Sequence, residues 1–64
     1  MYSSKYVYSC ATGFVFNIYK TRSGKFTILI KDDIFKKLLP IEGVSIPIVE
    51  EHEYVELNQP VGFK

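Results

Sequence analysis

Lys20, Arg22 and Lys25 stand within six residues of one another, around the polar break Thr21-Arg22-Ser23-Gly24 that separates two apolar runs. These side chains bind anions: a guanidinium meets phosphate oxygens in pairs through its planar fork, and an ammonium acts as a point charge. No Asp or Glu precedes Asp32, so the sequence puts no acid beside them. A cationic tip of this kind can meet a phosphate backbone or reach into a groove. The plain alternative is a turn whose charges serve solubility alone.

The other reactive residues assemble no catalytic set. Cys10 needs a neighbouring base to act as a nucleophile, and the one histidine, His52, lies in the run Glu50-Glu51-His52-Glu53. A buried cysteine without a chemical role is the expected state of Cys10. Adjacent side chains on a turn seldom converge on one ion, so the acidic run reads as a solvated face rather than a metal site. Asp32 and Asp33 read as caps rather than as a carboxylate pair, and no glycine-rich phosphate loop occurs. The chain is thus expected to be no enzyme and to need neither metal nor cofactor.

The aromatic residues admit two roles. Tyr6, Tyr8, Phe14, Phe16 and Tyr19 are interleaved with bases and could form a platform on which unstacked nucleic-acid bases lie. Phe14, Phe16 and Ile18 also share one face of a period-two run, which predicts that the two phenylalanines fill the core. The tyrosines, being amphipathic, suit either a platform or an interface. Tyr19, Lys20, Arg22, Lys25 and Lys31 are the candidate nucleic-acid contacts.

The elements that position these residues are mostly strands. Residues 5–10 read as a short strand. The run Phe14-Val15-Phe16-Asn17-Ile18-Tyr19-Lys20 and the run Lys25-Phe26-Thr27-Ile28-Leu29-Ile30-Lys31 alternate on either side of the break, which predicts a hairpin. Gly13 allows a kink or bulge before it. Residues 32–40 predict a two-turn helix, with Asp at its start, Lys36 and Lys37 near its end, an apolar stripe of Ile34, Phe35, Leu38 and Leu39, and Pro40 as its stop. A strand through Val44-Ser45-Ile46-Pro47-Ile48-Val49 follows, placed at an edge by Pro47. Residues 54–57 form the last strand and 58–64 a tail. The expected order is β-β-β-α-β-β in a single mainly β domain.

At 64 residues the chain buries only about 60% of its unfolded surface, so its core needs support. A single cysteine excludes an internal disulfide, which leaves pairing with a second copy as the economical remedy. The net charge of +1 conceals an asymmetry. Lys5, Lys20, Arg22, Lys25 and Lys31 give the first 31 residues five positive charges against no acid. From Leu38 to Phe63 there are five glutamates, 42, 50, 51, 53 and 56, and no base. Either the two halves pair with each other, or the first meets an anionic partner. The unpaired cysteine and the lack of a long apolar segment predict a cytoplasmic protein.

Residues 11–57 resemble the AbrB/MazE-type swapped-hairpin DNA-binding domain. Ser23-Gly24-Lys25-Phe26-Thr27-Ile28 takes the place of that family's first strand, and Asp33-Ile34-Phe35-Lys36-Lys37-Leu38 that of its helix. Glu42-Gly43 matches its turn and Glu53-Tyr54-Val55-Glu56-Leu57 its closing strand. The resemblance implies an obligate homodimer of interleaved hairpins that binds duplex DNA as a transcription regulator, with Lys25 and Lys36 at contact positions. The sequence departs from the pattern at Leu29, at Leu39-Pro40, and at Phe16 and Phe35, which replace bases.

Two other expectations stand beside this one. The strand order also suits a small OB-like barrel, whose aromatics would bind single strands. A small aromatic-rich chain could equally dock on another protein and modulate it, as many small virus-encoded proteins do.

Overall fold

Seven strands follow one another in the computed structural model, which describes residues 5–64: β1 (Tyr6–Tyr8), β2 (Gly13–Lys20), β3 (Phe26–Asp32), β4 (Leu38–Val44), β5 (Ile46–Pro47), β6 (Tyr54–Val55) and β7 (Pro60–Phe63). They form two sheets. The four-stranded sheet has the order β4-β3-β2-β6 and curls into a half-barrel, while the three-stranded sheet has the order β1-β7-β5. All pairings are antiparallel. Among the described residues there is no helix, and so none long and apolar enough to cross a membrane.

The expected hairpin forms from β2 and β3. Its turn is closed by Thr21 N–H donating to the Lys25 carbonyl at 2.7 Å and Gly24 N–H donating to the Thr21 carbonyl at 3.0 Å. Gly24 has a φ of 89°, a left-handed conformation that costs a residue without a Cβ little. At the other end of β2, Gly13 lies between Asp32 and Val55, and a Cβ there would collide with the Lys31 carbonyl. Only glycine lets the three strands meet so closely.

The phase of β2 is the reverse of the expected one. Val15 is fully buried, whereas Phe14 and Phe16 are exposed. A bulge at Phe16 explains how the alternation recovers: Val15 faces Ile30, Asn17 faces Leu29, and the extra residue lets Ile18 turn inward opposite Ile28. The core is accordingly aliphatic. Val7, Ala11, Val15, Ile28, Ile30, Ile41, Val44, Val49, Val55 and Val61 form it, with Ile18, Phe26 and Leu39 packed at its margin. No aromatic ring among the described residues is fully buried.

The helix expected over residues 32–40 is replaced by a second tight turn. Asp32 does accept backbone N–H groups as a cap would, from Ile34 at 2.9 Å and Phe35 at 2.6 Å. The chain then reverses instead of spiralling: Asp32 N–H donates to the Lys37 carbonyl, Lys36 N–H donates to the Asp32 carbonyl, and Lys36 takes a φ of 60°. Two helical turns have little stability of their own. Here Leu38, Leu39 and Pro40 extend the sheet instead, opposite Lys31, Ile30 and Leu29. Pro40 lies on a strand at the sheet's edge, where a missing N–H is tolerated.

The two sheets share a corner. β4 continues through Ser45 into β5, and Ser45 N–H donates to the Phe63 carbonyl at 2.7 Å. β5 lies at a sheet edge, as Pro47 requires. Residues 58–64, read from the sequence as a tail, supply β7, the central strand of the smaller sheet. Val61 in that strand is fully buried. β3 pairs with β2 and β4 of its own chain, so exchange of the hairpin with a second copy is not needed to complete either sheet.

Candidate nucleic-acid interface

The outer face of the four-stranded sheet carries four of the rings that the core leaves out, Phe14, Phe16, Tyr19 and Tyr54. Tyr54 on β6, Phe14 on β2, Lys31 on β3 and Leu38 on β4 stand directly opposite one another in a row across all four strands. At strand spacings of about 4.8 Å this row is about 14 Å wide. Phe16 follows on the bulge and Tyr19 beyond it. Phe14 is 52% exposed, Phe16 51%, Tyr19 45% and Tyr54 43%. Phe14 and Tyr54 meet edge to face, with centroids 5.0 Å apart and planes at 71°.

Cations stand at both ends of this face. At one end Lys31 and Lys36 line a cleft with Phe14, Asp32 and Asp33. At the other the hairpin turn carries Lys20, Arg22 and Lys25, all exposed. Six residues of extended strand separate Lys25 from Lys31, about 20 Å. The five candidate contacts therefore do not converge: Lys20, Arg22 and Lys25 share the tip, Tyr19 lies on the face behind it, and Lys31 belongs to the opposite end.

The tip does not pair with the acidic half through the contacts it makes. Lys25 Nζ donates to the Ser45 hydroxyl at 2.7 Å, and Lys20 Nζ stands 6.0 Å from the centroid of the Phe26 ring. Thr21 and Ser23 hydroxyls bond to each other at 2.9 Å, so the turn is braced by its neutral residues. The acidic turn at 50–53 instead docks along the free edge of β2. Val15 N–H donates to the Glu53 carbonyl, His52 N–H donates to the Val15 carbonyl, and Glu51 Oε2 accepts from Ile18 N–H at 3.3 Å. Carboxylates thus border the middle of the face, and bases hold its two ends.

Asp33 and Lys36 line this cleft, and Tyr54 stands beside it through its contacts with Phe14 and Asp33; Lys36 is among the contacts that the family resemblance implies, whereas nothing along the chain marks Asp33 or Tyr54. The Tyr54 hydroxyl donates to Asp33 Oδ2 at 2.8 Å. That hydrogen bond is the main cause that raises the phenol's pKa above its ordinary value, followed by desolvation and by the charges of Asp33 and Glu56. Asp33 is anchored through its N–H to the Thr12 carbonyl at 3.0 Å. The cross-strand pairing of residue 54 with residue 14 is invisible along the chain, because 40 residues separate them.

Tyr6 and Tyr8 do not join this platform. They lie on β1 in the other sheet, where the Tyr6 ring packs 4.8 Å from that of Phe63. Cys10 is exposed rather than buried and lines a separate open groove of about 370 Å³ with Ala11, Ile34, Phe35, Leu39 and Leu57. Among the described residues, no three His, Cys, Asp or Glu side chains come together as metal ligands.

No protein-family model matches the chain, and no curated protein matches its sequence.

Proposed function

We propose that the chain is a small binding module, not an enzyme, that holds single-stranded nucleic acid across the outer face of its four-stranded sheet. One observation carries this reading. The core is built from aliphatic side chains, while Phe14, Phe16, Tyr19 and Tyr54 are turned outward together on one surface. An aromatic face accepts the π-face of any unstacked base, and each such stack is worth about 1–3 kcal/mol. Lys31 and Lys36 at one end and Lys20 and Arg22 at the other meet phosphates. The stretch between Phe14 and Lys20 spans about 20 Å, enough for about four nucleotides. The OB-like alternative, a barrel that binds strands on its outer surface, accords with this use, and a cytoplasmic location would give access to such ligands.

A second reading keeps duplex DNA as the partner of the hairpin tip, in a homodimer of AbrB type acting as a regulator. What favours it is that the Lys25 amine meets a hydroxyl rather than a carboxylate, leaving its charge unneutralised. Fluorescence anisotropy with labelled oligothymidine and with a labelled duplex separates the two. Phe14→Ala with Phe16→Ala should weaken single-strand binding about tenfold or more. Arg22→Ala with Lys25→Ala should affect the duplex more than the single strand if the tip is the site. Absence of binding to either at low salt would reject both and leave a protein as the partner of the aromatic face.

A further inference from the structure

The cleft at the Lys31 end of the face has a volume of about 310 Å³ and is lined by Phe14, Lys31, Asp32, Asp33 and Lys36. This is at the small end of ligand sites. Its walls differ in chemistry: one aromatic ring, two ammonium groups and two carboxylates. Asp32 is tied to its own turn, its Oδ2 accepting from both the Ile34 and the Phe35 N–H groups. Asp33 is held but not exhausted. Its Oδ2 takes one hydrogen bond from the Tyr54 phenol, and among the described residues its other oxygen accepts none. A carboxylate offers about four lone-pair sites on two adjacent oxygens.

Resting on the single-strand reading, we propose that this cleft is a guanine-selective nucleotide subsite. One base lies against the Phe14 ring with its Watson–Crick edge toward Asp33, and Lys31 and Lys36 hold the flanking phosphates. Guanine is the base whose edge presents two neighbouring donors, N1–H and the N2 amine, to a carboxylate. Cytosine and adenine each present an amine beside an acceptor, and thymine one N–H between two carbonyls that a carboxylate repels. Single-stranded bases are open to reading on this edge. The Tyr54 phenol, by donating to Asp33 Oδ2 at 2.8 Å, holds that oxygen in place and leaves the other free for the base.

The test is a titration of the whole chain with oligothymidine carrying one central guanine, adenine, cytosine or inosine, against plain oligothymidine. The guanine oligomer should bind about tenfold tighter than the others, and inosine, which lacks the N2 amine, should lose most of that gain. Asp33→Asn keeps an acceptor for Tyr54 and should bring the guanine oligomer down to the level of plain oligothymidine; a guanine preference that survives this substitution would overturn the proposal. Equal binding of all oligomers by the wild-type chain would overturn guanine selectivity and leave the single-strand reading standing. Failure of the folded protein to bind any of them would overturn both.

Discussion

Phe14 stands directly opposite Lys31 across β2 and β3, on the face of the sheet turned away from the core. The pair sets an aromatic surface beside a cation, and Tyr54 packs on the ring's other side. Its position follows from the residue next in the chain. Val15 is drawn into the aliphatic core opposite Ile30, and in a strand that commits Phe14 to the opposite face.

This arrangement separates residues that stabilise the fold from residues free to bind. Ile30→Ala should lower stability by about 3 kcal/mol, because it empties a fully buried site. Phe14→Ala, although it removes a far larger side chain, should cost about 1 kcal/mol, the worth of its edge-to-face contact with Tyr54 on an exposed face. Urea denaturation of the two variants checks the ranking. The reverse order would mean that Phe14 is core.

The hairpin was legible in the sequence because two alternating runs flank a polar break ending in Gly24. Its phase was not. The run from Phe14 to Tyr19 is apolar on both faces, so period-two alternation cannot say which face is buried. The bulge at Phe16 then brings Val15 and Ile18, an odd number of residues apart, to the same side. The turn at 33–35 escaped because an aspartate accepting two N–H groups looks the same at a helix start and in a tight turn. The tip cations could be read from sequence, whereas the cleft could not, since it depends on contacts between residues 14, 31, 33, 36 and 54 that only the sheet creates.

Lys36→Gly offers a substitution whose effects on fold and on binding should have opposite signs. Releasing a non-glycine residue from φ 60° should raise stability by about 1 kcal/mol. Loss of the ammonium should weaken single-strand binding severalfold for every base composition. Thermal melting and anisotropy on the same preparation measure both, and stabilisation without loss of binding would remove Lys36 from the interface.

Tyr54 predicts a pH dependence at the alkaline end. Its folded pKa is raised, chiefly by the hydrogen bond to Asp33, above the ordinary tyrosine value. Below about pH 10 the phenol is protonated in both states and its contribution is fully present. As the pH rises further the unfolded chain loses this proton first, so the folded state binds more protons and stability falls until the folded pKa is passed. Tyr54→Phe should make that fall shallower. Denaturation midpoints measured across the alkaline range give the comparison.

Ionic strength distinguishes the two modes of nucleic-acid binding. A single strand meeting Lys20, Arg22, Lys31 and Lys36 should release counterions with a log–log salt slope of about −3. A duplex gripped by the three tip cations of each chain in a dimer should give a slope of about −5. Anisotropy titrations over a range of salt concentrations supply the slope.

Amide chemical-shift mapping on adding short single-stranded oligothymidine tests the central claim most directly. The largest changes should fall on Phe14, Phe16, Tyr19, Lys31 and Tyr54, with little response from Tyr6, Tyr8 and Phe63 on the other sheet. Changes confined to residues 21–25, or a spectrum indifferent to the oligonucleotide, would contradict it.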